Sequence, residues 1–227
     1  MNTNGKYFGK SVRERMRSGL GWRGAFSLVE LLVVIAILLI LMALVLPATT
    51  SLMRSMNISR AASLVTDEMN FARQTALSRN RDVELRFYRL GSKLDGNTKQ
   101  YRAMRSFVAD GTDPTKSQPL SKVKYLPDSV ILSDNTALSS LLDSDNPARS
   151  GLTEGTETLP AGATEYVSFL FRANGGTSLK PISPPEGNWF VTVMAENAQV
   201  EGGTGLPPNY FTAQVDPVTG RTRSYRP

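Results

Sequence analysis

Glu30 is a carboxylate inside an apolar run, FSLVELLVVIAILLILMALVL, residues 26–46. A carboxylate in hydrocarbon costs roughly 2.5–3.5 kcal/mol on insertion scales and usually marks function. The plain alternative is a side chain near the interface that snorkels into the headgroups. Other chemistry is sparse. The 227 residues include no Cys and no His, which removes thiol and imidazole catalysis, disulfides and the usual zinc sites. No Gly-rich phosphate loop follows a strand. Asp143, Asp145 and Asn146 lack the central Gly and closing Glu of a calcium loop and read as solvated loop. No catalytic residue, metal or cofactor is therefore expected, and the chain does not read as an enzyme. At the far end, Arg221 and Arg223 are two apart and share one face of a strand with Tyr225. Arg forks hold phosphates and a Tyr ring can stack a base, so nucleic acid is one candidate partner. The alternative there is an edge strand guarded by charge.

The elements around Glu30 are unusual. Residues 1–25 are basic and Gly-rich, and they carry +5 of the formal net charge of +6. The body is near neutral, which weakens a general nucleic-acid reading. The run 26–46 matches the ~20 residues a helix needs to cross a bilayer. The basic segment before it predicts a cytoplasmic N-terminus and a body on the far side of the membrane. A secretory signal peptide would have a shorter apolar core. Pro47 follows directly and predicts a kink or a stop. Beyond it, Ile58, Ala61, Ala62, Val65, Met69, Ala72 and Ala76 recur at steps of mostly three and four. That is an amphipathic helix to Asn80, with an apolar face that covers a sheet.

The segment Gly24-Ala25-Phe26-Ser27-Leu28-Val29-Glu30-Leu31-Leu32 resembles the cleavage and methylation signal of type IV prepilins. The resemblance implies a cut between Ala25 and Phe26, methylation of the Phe26 amine, and Glu30 as fifth residue of the mature chain. Pro47 then falls where many pilins carry a kinking proline. Ala25 departs from the commoner Gly. The resemblance also implies that Glu30 pairs with the amine of a neighbouring subunit during assembly, because a buried carboxylate needs a cationic partner. The implied partners are prepilin peptidase, other pilin or pseudopilin subunits and the inner membrane. The implied location is a single pass with a periplasmic head, then a pilus or pseudopilus.

The run Ala72-Arg73-Gln74-Thr75-Ala76-Leu77-Ser78-Arg79-Asn80, followed by Val83-Glu84-Leu85, resembles the GspH/FimT branch of minor pseudopilins. In that branch "ARxxAxxRN" leads into a strand. Asn174-Gly175-Gly176 and Thr219-Gly220-Arg221 match its closing turns. The ending DPVTGRTRSYRP is also similar to prepilin-like proteins in multi-gene cassettes of verrucomicrobial bacteria. DNA-uptake members of the branch carry a similar "GRxR" element, which implies a DNA-binding alternative at Arg221 and Arg223.

After Asn80 the period changes to two. Val83, Leu85 and Phe87 alternate with Glu84, Arg86 and Tyr88 as a half-buried strand. Strands are predicted at 101–108, 123–125, 130–132, 166–171, 189–194, 210–215 and 221–225. A long loop is expected over 133–163, with a helical turn at 137–142. The layout is a leader, 1–25; an assembly helix, 26–47; its amphipathic half, 48–80; and a β-rich head, 81–227. The fold class is α+β: a pilin-like, long, kinked N-terminal helix packed on an antiparallel sheet.

Overall fold

The computed structural model describes residues 26–91, 98–111, 116–143, 151–160, 162–181, 188–198, 205–207 and 209–226. The side chains of residues 44–51 are outside that description. The chain divides into two compact units, Met1–Leu46 and Pro47–Pro227.

One helix, α1, covers Leu28–Arg79. Pro47 lies inside those bounds, so the proline does not act as a stop. In the first unit every described side chain from Phe26 to Ala43 is exposed, Leu28 at 79% and Ile40 at 63% among them. Among the described residues no helix is long and apolar enough to cross a membrane; the described side chains of the apolar run end at Ala43.

In the second unit α1 supplies one wall of the core. All seven stripe residues, from Ile58 to Ala76, are buried at 3% exposure or less. Small residues at 61, 62, 72 and 76 let the helix approach the sheet closely. Each large apolar side chain buried there contributes on the order of 1.5–3 kcal/mol. The helix ends by a backbone device. Asn80 takes φ 50°, and the Arg81 amide bonds back to the Ala76 carbonyl at 3.2 Å. That satisfies one of the orphan carbonyls of the last turn.

The sheet strands are β1 Val83–Gly91, β2 Lys99–Val108, β3 Gln118–Pro119, β4 Lys124–Tyr125, β5 Val130–Leu132, β6 Thr153–Leu159, β7 Gly162–Phe171, β8 Trp189–Ala195, β9 Tyr210–Val215 and β10 Thr222–Tyr225. Their order is β10-β9-β8-β5-β2-β1-β7-β6, with β3 and β4 paired to β2, and every pairing is antiparallel. Val83, Leu85, Phe87, Val167, Phe169, Phe171, Val191, Val193, Ala213 and Val215 face α1 in one core. The Trp189 indole within it donates to the Lys180 carbonyl at 2.8 Å.

Two expectations are corrected. Residues 133–163 are not one long loop. They contain a 3-10 turn, Ser140–Leu142, then β6 and the start of β7. The alternation of Thr with Glu and Gly in TEGTETL was a strand signal masked by low hydrophobicity. The first strand is not half-buried either. Glu84, Arg86 and Tyr88, on its side away from α1, are all buried. The β6–β7 hairpin covers them. Leu159 and Tyr166 pack on Tyr88 and Ala103 as a second small core.

Polar groups under that cover are paired. Arg86 meets Glu84 at 2.7 Å and Glu157 at 3.0 Å, and its guanidinium lies 4.0 Å from the Phe107 ring centroid. The Tyr88 hydroxyl donates to Glu157 at 2.5 Å. Burial, then that bond to Glu157, pushes the Tyr88 hydroxyl well above its ordinary range. Burial opposes the Arg86 charge, but Glu84, Tyr166 and Glu157 together more than offset it and hold the guanidinium protonated.

Candidate functional site

Phe26 is 74% exposed and directly precedes the helix cap. Ser27 caps α1: its Oγ accepts the Glu30 amide at 3.1 Å, and its carbonyl accepts the Leu31 amide at 3.1 Å. Ser27-x-x-Glu30 therefore has the spacing of a capping box. Glu30 sits in the first turn, where the helix N-terminus favours a negative charge. That electrostatic role for Glu30 and the part of Ser27 were missed in the sequence, although the S-x-x-E spacing signals both. Ala25 lies outside the described residues. Pro47 lies within α1, with its side chain outside the description.

At the other end, β9 and β10 form a hairpin closed by Asp216-Pro217-Val218-Thr219-Gly220. The Gly220 amide bonds to the Asp216 carbonyl at 2.8 Å, and the Asp216 amide to Arg221 at 2.9 Å. Asp216 Oδ1 also accepts the amides of Val218 and Thr219, each at 2.9 Å. The Thr219 amide, and then that of Val218, hold the Asp216 carboxyl below the usual carboxylate range. Arg221 and Arg223 are exposed and line a recess of about 80 Å³ with Asn188, Gln214, Asp216 and Pro217. Tyr225, 49% exposed, is not part of that recess. Arg226 turns to the helix instead, donating to Ser59 Oγ and Ser55 Oγ at 2.9 Å each.

The segments Ala72–Asn80, Asn174–Gly176 and Thr219–Arg221, far apart in sequence, meet in space. Arg73 Nε donates to the Thr219 carbonyl at 2.9 Å. Thr177 donates its amide to the Pro217 carbonyl at 3.0 Å and its hydroxyl to the same oxygen at 2.8 Å. Gly220 sits at φ +63°, where an added Cβ would lie 2.5 Å from the Gly175 carbonyl and 3.3 Å from the Arg73 side chain. Only glycine fits.

A second buried group was not visible in the sequence. Glu68, fully buried on α1, accepts from Ser106 at 2.6 Å and pairs with Lys124 at 2.6 Å. It ties the helix to β2 and β4. Among the described residues no group of three Asp, Glu, His or Cys side chains could hold a metal.

Residues 23–46 match the family model described as the prokaryotic N-terminal methylation motif. Phe26, Glu30 and the start of α1 lie within the matched segment. No curated protein sequence matches the chain. The fold is similar to that of the minor pseudopilin EpsH of the Vibrio cholerae type 2 secretion system. Identity is 10% and the TM-score 0.39, over 75% of this chain and 98% of that one. It is also similar to the type IV minor pilin FimU of Pseudomonas aeruginosa, at 12% identity and TM-score 0.38, over 75% and 92%.

Proposed function

We propose that this chain is a structural minor pilin or pseudopilin of a type IV pilus or a type II secretion-type pseudopilus. It is made with a leader, residues 1–25, that prepilin peptidase removes between Ala25 and Phe26. The new Phe26 amine is then methylated, which keeps its charge. Residues 26–47 anchor the subunit in the inner membrane with the head on the periplasmic side. The same residues later pack among neighbouring subunits.

The match of residues 23–46 to the methylation motif carries this reading. The geometry supports it. Helix α1 starts two residues after the proposed cut, and its apolar side chains from Leu28 to Met42 are left bare in the single chain. A bare apolar helix calls for lipid or other helices around it. Buried in such a bundle, Glu30 requires a cation, and cleavage creates one at Phe26.

Mass spectrometry of the mature chain tests the proposal. The expected N-terminus is Phe26 carrying one methyl group. A chain that begins at Met1, or beyond Leu46, overturns it.

A further inference from the structure

The turn of α1 shortly after the apolar run is open on every side. Leu52, Met53 and Met56 are exposed at 61%, 65% and 62%, and Arg54 between them is exposed too. Four consecutive residues go once round a helix. Over residues 52–55, three are exposed and the fourth, Ser55, is half-buried beneath the guanidinium of Arg226. Among the described residues of α1, Ile58 is the first whose side chain is buried.

That turn is also cationic. Between Glu30 and Asp67 the sequence holds no acid, and its two charges are Arg54 and Arg60. Arg226 adds a third by donating to the hydroxyls of Ser55 and Ser59, which do not neutralise it. Among the described residues none of these three arginines makes an ion pair. Asp128 shares a recess with Arg60 without bonding to it. Bare apolar side chains and unneutralised cations on one turn suit a headgroup layer, where stems meet the apolar boundary and charges meet phosphate.

Position along the helix agrees. About 20 helical residues span the ~30 Å hydrocarbon core, so with Glu30 at the near boundary the core ends at about residue 50. Leu52 to Met56 then occupy the next ~3–9 Å, about the thickness of a headgroup layer.

We infer that Leu52–Met56 and Arg226, with Arg60 a turn above, form a belt that binds anionic phospholipid headgroups and holds the head against the membrane. The inference rests on the proposed anchoring of residues 26–47. A protein partner covers one face of a helix, whereas lipid surrounds it, which fits exposure round the whole turn. A second copy laid on the same turn sets Arg against Arg. Each cation beside an anionic surface raises partition roughly fivefold, and salt weakens the effect.

The chain has no cysteine, so a spin label can be placed at one chosen site. Full-length Leu38→Cys, Met53→Cys, Met56→Cys and Gln74→Cys chains are labelled and reconstituted into vesicles of phosphatidylcholine, alone or mixed equally with phosphatidylglycerol. Collision with oxygen, which concentrates in lipid, is compared with collision with a neutral nickel chelate, which stays in water. Labels at 53 and 56 are expected to exclude nickel several-fold better than the label at 74, and more so with phosphatidylglycerol. Gln at positions 54, 60 and 226 together is expected to abolish that lipid dependence, and Lys at the same positions to keep it. High salt on the chain with its arginines intact is expected to act like the Gln substitutions, which covers the case of a variant that misfolds by circular dichroism. Labels at 53 and 56 as open to nickel as the label at 74 overturn the belt. So does protection indifferent to phosphatidylglycerol, to salt or to loss of the arginines. Protection accompanied by spin–spin broadening that vanishes on dilution with unlabelled chain assigns the turn to a second copy and overturns it as well. A nickel-exposed label at 38 removes the anchor, and both readings with it. A protected label at 38 beside exposed labels at 53 and 56 removes only this one.

Discussion

Arg73 on α1 donates to the carbonyl of Thr219, 146 residues away, and closes the chain's last hairpin against the helix. The contact explains two neighbours. Gly220 is glycine because the Arg73 side chain and the Gly175 carbonyl occupy the space of a Cβ. Asp216 shapes the turn so that the Thr219 carbonyl points at Arg73 while its amide points at Asp216.

Gly220→Ala is therefore expected to be costly. A residue forced to positive φ costs about 1–3 kcal/mol, with the collision added. At roughly 2–4 °C per kcal/mol for a head of this size, the melting temperature falls by several degrees. Arg73→Ala should cost about 1 kcal/mol, the worth of one hydrogen bond. The two losses should not add, because the residues touch. Thermal melts of both variants and of the double variant check this.

Removing Lys124 strands a fully buried carboxylate at Glu68. Breaking a buried pair costs about 3–5 kcal/mol, and the partial exposure of Lys124 reduces that to about 1–3 kcal/mol. Lys124→Met is expected to be more harmful than Lys124→Met combined with Glu68→Leu, since the latter leaves no charge behind. Urea unfolding of the three chains decides it. Equal destabilisation in both variants would show that water reaches Glu68.

For assembly, Glu30 and Ser27 give opposite expectations. Glu30→Ala should leave cleavage and membrane insertion intact but lower the share of the protein in sheared filaments. Ser27→Ala removes the cap, at about 1 kcal/mol, and keeps the carboxylate, so it should assemble. If the two variants fail alike, capping is the main role of Glu30.

Alkaline pH should unfold the head in a defined window. Burial raises the hydroxyls of Tyr88, Tyr101 and Tyr166, Tyr101 to about 12. The unfolded chain releases those protons near its ordinary tyrosine value of about 10, while the folded chain retains them. Stability is therefore complete below about pH 10 and falls progressively up to about 12. Tyrosinate absorbance should rise together with loss of β-sheet circular dichroism. Titration of all the tyrosines before unfolding would contradict this.

Nucleic-acid binding through Arg221 and Arg223 should be weak and salt-sensitive. Two or three phosphate contacts give a log–log salt slope of about −2 to −3. Asp216 stands in the same recess and opposes an anion there. A titration against an Arg221→Ala/Arg223→Ala chain tests it. Binding that survives the double substitution places the nucleic acid elsewhere.

Much of this protein is local in origin and so was legible in its residues. The apolar run with one carboxylate, the small residue and Phe before it, and the stripe from Ile58 to Ala76 are patterns within single elements. Periodicity reports which face of an element is buried, whatever buries it. Strands β1, β2, β4, β5, β7, β8, β9 and β10 lie at or near the segments read as strands in the sequence. The rest depended on partners distant in the chain. β6 is too polar to declare itself and became a strand by pairing with β7 and covering Arg86. Glu68 looks like one more surface charge of a helix until β2 and β4 bring Ser106 and Lys124 to it. Arg73, Gly175 and Gly220 belong to three separate motifs of the sequence and acquire a common role only where two turns meet one helix.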